Sequence, residues 1–365
     1  MILENLSLLN FKNICGADIS FSRNINCFLG NNGMGKTNLM DAVYYLSFCK
    51  SSSNIPDSQI IRHGEQMLML RGSYLNIGND ERTEIQCGVK LHQRKVFKRD
   101  RKEYDRLSEH IGFIPLVLVS PEDNELVREG SDIRRRFTDQ TLSQFDREYL
   151  VAIMAYNKAL ASRNAMLRRE ESEDALYDIL EEQMTSLASI IHKRREDFIK
   201  DFVPVFNNFY SGVSGGNENV SLFYKSHLNE GELLPQLRDA RKRDIAVGYS
   251  TRGIHKDDLD MVMDGFPVKR FGSQGQMKSF SIALRFAQFD FLKSKGGKTP
   301  ILLLDDIFDK LDAGRVERIM EIVSGTGFGQ IFVTDTNRKY LDGIVRKIGG
   351  DYKLFSVNNG DIKEI

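Results

Sequence analysis

The chain has 365 residues, and its 51 lysines and arginines balance 51 aspartates and glutamates to give a formal net charge of zero. That length suits one large or two moderate domains with substantial cores, and neutrality confines any nucleic-acid contact to local patches. No apolar run approaches the ~18–20 residues that cross a bilayer, the N-terminus lacks a signal peptide's basic start and small-residue cleavage site, and four cysteines without a Cys-x-x-Cys pair disfavour a zinc site or disulfide framework, so a reduced cytoplasmic protein is expected.

The first strong signal in chain order is a phosphate loop. Asn24-Ile25-Asn26-Cys27-Phe28-Leu29 reads as a short buried strand, and Asn38-Leu39-Met40-Asp41-Ala42-Val43-Tyr44-Tyr45-Leu46 as a helix. Between them, Gly30-Asn31-Asn32-Gly33-Met34-Gly35-Lys36-Thr37 fits Gly-x4-Gly-Lys-Thr. The glycines permit a tight turn that points successive N–H groups inward, and the helix N-terminus adds roughly half a positive charge. Lys36 is expected to reach the outer phosphates of ATP, and the Thr37 hydroxyl to face Mg²⁺. The Gly-x-Gly-x-x-Gly spacing of a Rossmann site is absent.

Residues 67–75 and 83–91 alternate as paired strands across the turn 76–80, and the densest basic stretch follows at 94–102. From about 131 to 210 the pattern becomes helical. Leu150, Ile153, Asn157, Leu160, Asn164 and Leu167 recur at three- and four-residue steps, as do Leu176, Ile179, Gln183, Leu187, Ile190, Arg194 and Phe198 after an acidic turn at 170–174. Two such stripes predict an antiparallel hairpin packed through them, with helices of about 24 residues or roughly 36 Å.

Alternating strand and helix patterns resume at 214. Strands are expected over 220–225, 259–263, 301–304, 331–334 and 352–357, with helices near 231–246, 277–292 and 314–324. Ser273-Gln274-Gly275-Gln276 opens one of these helices, and its hydroxyl and free N–H groups suit a γ-phosphate. Because the Lys36 loop already encloses one side of the nucleotide, this segment is expected to complete the site of a second copy. Asp305-Asp306 end the apolar run 300–304, where open α/β sheets bind ligands. Asp305 is the expected Mg²⁺ partner, and Asp306 the group that orients or deprotonates water, on a side chain shorter than the usual Glu. A split site around a helical insertion implies one head built from residues 1–119 and 214–365, with an inserted arm at 120–213.

These motifs, with others between them, resemble the RecF family of bacterial recombination mediators over nearly the whole chain. The likeness rests on Leu8-Leu9-Asn10-Phe11-Lys12-Asn13, on Ser120-Pro121-Glu122-Asp123-Asn124-Glu125-Leu126-Val127 with Arg134-Arg135-Arg136-Phe137-Thr138-Asp139, and on 156–164. Gly253-Ile254-His255-Lys256-Asp257-Asp258-Leu259 is similar to Gly-Pro-His-Arg-Asp-Asp-Leu, with Ile and Lys substituted. The resemblance implies an α/β, ABC-type P-loop ATPase head with mixed sheets, flanking helices and an inserted α-helical arm. It also implies ATP-dependent homodimerisation, slow DNA-stimulated hydrolysis and DNA binding. Partnership with RecR and RecO, RecA loading at gaps, replication restart and the SOS response follow from it as well. Lys12 carries over as a nucleotide contact, and 308–312 as a loop that contacts the dimer partner. A γ-phosphate sensor would be Thr334 or Thr336. An ABC transporter subunit and an architectural SMC-like protein are the alternatives, disfavoured by the missing switch His and by the short arm.

DNA is expected to meet the chain through backbone contacts at one or more of four basic clusters: 94–102, 134–136, 193–195, and Arg238 with 241–243. His255 beside Asp257 and Asp258 is expected to anchor a turn rather than to ligate metal.

Overall fold

The computed structural model describes residues 1–365 except 77–79, 170–173, 217, 309–310, 326, 339–341, 344 and 347–350. Contacts divide it into two units. The first comprises Met1–Asp123, Gly212–Gly215 and Ile282–Ile365; the second comprises Asn124–Ser211 and Gly216–Ser281. Both chain ends therefore build one head, but the inserted unit runs on to Ser281 and takes in 216–281, which the sequence had assigned to the head. The turn expected at 76–80 and the one at 170–174 fall largely outside the described residues.

Two six-stranded sheets make the head. One has the order β2 (Ile14–Ser20), β1 (Ile2–Phe11), β4 (Met67–Leu75), β5 (Arg82–Lys90), β6 (Val96–Arg99) and β7 (Lys102–Glu103), antiparallel throughout. Its strands alternate between buried and exposed positions, as a sheet with one solvated face must. The other runs β15 (Asp361–Glu364), β14 (Tyr352–Asn358), β3 (Ile25–Leu29), β13 (Ile331–Asp335), β12 (Ile301–Asp305) and β8 (Leu116–Val119). It is parallel from β14 to β8, and every residue of β12 and β13 is buried, which is why those strands read as unbroken apolar runs. Helix α1 (Lys36–Phe48) is apolar nearly all round and joins the core formed by both sheets, including Leu6, Leu70, Phe28, Leu303 and Phe332.

The inserted unit contains α2 (Ser131–Ser143), α3 (Arg147–Arg168), α4 (Asp174–Ser214) as far as Ser211, α5 (Leu233–Val247) and the start of α6 (Gln274–Gly296). It also holds a small antiparallel sheet of β9 (Val220–Lys225), β10 (Asp258–Met263) and β11 (Phe266–Pro267). Asp146 caps α3 by accepting from the Tyr149 N–H. Tyr149 meets Arg195 while Arg163 meets Glu181, equal steps in opposite directions that establish the antiparallel hairpin. At 41 residues α4 spans roughly 62 Å, longer than expected, because it continues through Pro204 to Ser214.

Up to Arg195 the buried stripe of α4 is offset from the one expected, by one residue at most positions, and Phe198 is common to both. Tyr177, Glu181, Met184, Ala188, Ile191, Arg195, Phe198, Phe202, Phe206 and Tyr210 face inward, whereas Leu176 and Ile179 are 42% and 62% exposed. On α3, Tyr156 and Arg163 are buried where Asn157 and Asn164 had been expected to pack. Leu150, Ile153, Leu167 and Phe198 are buried as expected, and the displaced positions include those where the true stripe carries the paired ions Arg163, Glu181 and Arg195. Among the described residues no helix is long and apolar enough to cross a membrane.

Candidate nucleotide site

The phosphate loop leaves β3 and enters α1 under three close constraints. Gly35 sits at φ 110°, in the left-handed region, and a Cβ there would fall 2.8 Å from the Asn13 side chain. A Cβ on Gly30 would fall 2.4 Å from the Val357 carbonyl of β14. The Asn13 amide bridges the loop, donating to the Met34 carbonyl at 3.3 Å and accepting from Asn38 Nδ2 at 2.8 Å. From the other side, the Gly360 N–H donates to the same Met34 carbonyl at 2.9 Å. Gly360 belongs to the two-residue Asn359-Gly360 turn joining β14 to β15, with positive φ at both positions as a type I′ hairpin requires. Neither brace had been singled out from sequence, although Asn-Gly between two strand patterns is a strong hairpin signal.

Lys36 is 4% exposed, and its Nζ donates to the carbonyls of Gly30 at 2.8 Å and Asn31 at 3.3 Å. It also stands 3.9 Å from Asp306 Oδ2. Asp305 and Asp306 lie at the carboxyl end of β12, as expected. Burial pushes the Asp305 carboxyl above the usual carboxylate range, while hydrogen bonds from the Thr334 and Thr37 hydroxyls pull against it. Asp306 adopts φ 45°, and its N–H donates to Thr334 Oγ1 at 3.0 Å. Lys36, Thr37, Asp305 and Asp306 are thus brought together where the parallel strands end.

The remaining nucleotide candidates differ in what they touch. Lys12 pairs with Asp41 at 2.8 Å, and the buried Asp41 also accepts from Ser51 and from the Ser52 hydroxyl and N–H. A carboxylate amid the apolar run of α1 was the signal for this pair. Lys12 and Asn13 line a cavity of about 780 Å³ with Arg62, His63 and Glu65, so Asn13 connects that cavity to the loop. Thr334 spends its hydroxyl on Asp305 and the Asp306 N–H, which leaves Thr336, exposed, as the sensor candidate. Asp335 is buried, which raises its carboxyl. Asp309 and Lys310 lie outside the described residues, and Asp312 caps the helix Ala313–Ser324 through the Arg315 N–H.

Ser273–Gln276 belongs to the inserted unit. Ser273 is exposed, and its Oγ accepts from the Gln276 N–H at 3.2 Å while Gln276 Oε1 accepts from the Ser273 N–H at 2.7 Å. This reciprocal capping box holds the start of α6, beside Gly275. The other end of the Gln276 amide donates to Glu218 at 2.7 Å, so its side chain is committed to the fold.

Three of the four basic clusters are tied in part to carboxylates of the fold, although Arg136, Lys193, Arg238, Lys242 and Arg243 are exposed. Arg134 makes a bidentate pair with Asp258, Arg135 donates to the Asp257 carbonyl, and only Arg136 of the three is exposed, beside Asp132. Arg195 is buried against Asp139 and Asp257; Arg194 meets Asp146 and Glu148; Lys193 meets Asp197. Arg238 and Arg241 face Asp174, Asp178, Glu181 and Glu182. Arg134, Arg195 and Arg241 read like surface residues because the carboxylates that neutralise them are remote in sequence. The stretch 94–102 differs: it forms a hairpin whose two-residue Asp100-Arg101 turn leaves Arg101 and Lys102 exposed. His255 anchors its turn, with Nδ1 2.9 Å from Tyr156 Oη and Nε2 2.9 Å from the Ser250 carbonyl, and burial lowers it to about 4.

With this geometry in place, the comparisons with known proteins agree with one another. The family model for the RecF/RecN/SMC N terminal domain matches residues 2–350. The chain is 54% identical to the DNA replication and repair protein RecF of Bacteroides fragilis, over 100% of this chain and 99% of that protein. It is 55% identical to RecF of Phocaeicola vulgatus, covering 100% and 98%. A solved structure of the recombination mediator protein RecF with ATP, of the RecFOR pathway, superposes with a TM-score of 0.89 at 26% identity, over 100% of this chain and 97% of that one. The fold is that of an SMC/RecF-type ATPase head with an inserted helical arm.

Proposed function

The chain belongs to the RecF family of DNA replication and repair proteins, and we propose that it is an ATP-operated DNA-repair clamp. The observation that carries this reading is the convergence of Lys36, Thr37, Asp305 and Asp306 at the strand ends beside a braced phosphate loop. The loop N–H groups of Asn31, Asn32, Gly33, Met34 and Gly35 would cradle the phosphates of ATP, and Lys36 would exchange its carbonyl partners for phosphate oxygens. Asn38 and Lys12 flank the loop and the adjoining cavity, where the nucleoside end would lie.

Thr37 and Asp305 offer the oxygen donors that Mg²⁺ takes. Among the described residues no group of three or more His, Cys, Asp or Glu side chains could hold a metal by itself, so phosphate and water must complete the shell. Bound there, Mg²⁺ would neutralise charge developing on the phosphates. Thr334 fixes the Asp305 carboxylate, and Asp306 orients water from a side chain about one bond shorter than Glu, which suits a slow ATPase.

Ser273, Gly275 and the free N–H groups at the start of α6 would receive the γ-phosphate of a partner's nucleotide, Gln276 acting by holding the cap. ATP then joins two copies, and its hydrolysis removes the joining group. The exposed Arg101 and Lys102 at the β6–β7 hairpin would contact DNA backbone, with hydrolysis weakly stimulated by DNA. As in the pathway named for the solved relative, RecR and RecO are the proposed partners, with RecA loading at gaps, replication restart and the SOS response as the setting, in the cytoplasm. Family membership displaces the transporter alternative. Light scattering tests the reading: the mass should double with ATP and Mg²⁺ but not with ADP, and a mass unchanged by ATP would reject the clamp.

A further inference from the structure

The N-terminal antiparallel sheet turns one face to the core and leaves the other open. On that open face the strand register sets Gly16, Leu9, Met69, Gly88 and Val96 in a single row across β2, β1, β4, β5 and β6. Leu9 and Met69 are 41% and 45% exposed, and Met67, beside the row, is 39% exposed. A Cβ placed on Gly88 meets nothing within 4 Å, so the row is interrupted by a slot. The slot belongs to a cavity of about 320 Å³ that Met67, Met69 and Val96 line together with Lys90, Arg94 and Lys98.

The charge of this cavity is one-sided. Among the described residues Lys90 and Lys98 have no carboxylate within ion-pair distance, and the Arg94 guanidinium donates to a backbone carbonyl, that of Asp105. In the neighbouring row Arg71 pairs with Glu84 at 3.6 Å, and Glu103, opposite Lys98 on β7, is exposed and makes no ion pair with it, so the three cations keep their charge for a ligand. The floor contains no aromatic ring, whereas binding of a single strand without sequence preference uses aromatic platforms for the bases. Methionines adapt to irregular apolar side chains instead, and the volume falls at the small end of ligand clefts, ~300–1,000 Å³.

We propose that this groove docks an acidic peptide segment of a partner protein, one large apolar side chain seating over Gly88 while flanking carboxylates pair with Lys90, Arg94 and Lys98. The surface is separate from the nucleotide site, so the proposal stands independently of the ATP reading. The test uses the full-length chain and a fluorescein-labelled dodecapeptide of Asp and Glu with one central Phe, followed by fluorescence anisotropy. Binding should weaken at least ~10-fold when the Phe is replaced by Ser, in Gly88→Leu, and in Lys90→Glu/Lys98→Glu. Gly88→Leu has room to fold, and unchanged circular dichroism and ATP binding would verify this. No binding to the wild type, or equal binding to Gly88→Leu, overturns the proposal. So does a labelled oligothymidylate that binds in the peptide's place and is weakened by the same substitutions, since that would make the groove a nucleic-acid surface.

Discussion

The phosphate-loop end of the head and the core of the helical hairpin are both crowded with charge, yet they treat it in opposite ways. In the hairpin, Arg163 is fully buried between Glu181 and Asp244, and Arg195 between Asp139 and Asp257, each also held by neutral donors or acceptors. In the head, Lys36 has only loop carbonyls and a carboxylate 3.9 Å away, and Asp305 is desolvated beside hydroxyls. Closed charge networks fix a helix register; an open one keeps capacity for a ligand. The difference separates structural from functional polarity better than charge density does.

The most severe way to break this comparison is Arg163→Met. It leaves Asp244 in the core without a cation and Glu181 with Arg241 alone, and a loss of about 3 kcal/mol in denaturant unfolding is expected. Converting both carboxylates to their amides in the same variant should recover part of that loss. A loss below about 1 kcal/mol would mean that the network is not closed as described.

Acid should act on both regions through buried histidines. His110 in the head and His255 in the inserted unit are each lowered to about 4 by burial. Their folded forms refuse a proton that the unfolded chain accepts near 6.5, so stability is complete above that pH and falls as pH drops from about 6.5 toward 4. Between pH 7.5 and 5 each histidine should cost roughly 2 kcal/mol. A flat stability profile across that window would contradict the buried, neutral assignment.

The smallest effect concerns the surface. Arg101→Glu/Lys102→Glu should weaken duplex binding and reduce the log–log salt slope by about 2. The exposed Lys242 and Arg243 would become the better phosphate track if the slope were unchanged.

What was legible in the sequence follows the same division. The loop, β3, α1 and the β12 acidic end could be read because each combines a local spacing with a one-sided apolar pattern. The hairpin itself was legible, but its register was not, since Glu181, Arg163 and Arg195 occupy buried positions that hydrophobic periodicity assigns to solvent. The extent of the inserted unit was hidden for a related reason: β9 and β10 resemble head strands in composition and declare their unit only through long-range contacts. The Asn13 and Gly360 braces went unread because their shared partner is a backbone carbonyl, although the Asn359-Gly360 turn itself carries a hairpin signature.

The claim at the centre of the account is that ATP joins two copies through Ser273. It is tested most directly by light scattering on Ser273→Arg beside the wild type, with nucleotide affinity measured on the same samples. The account predicts unchanged ATP affinity and a monomeric mass for the variant under conditions where the wild type doubles. Equal doubling of both proteins would contradict it.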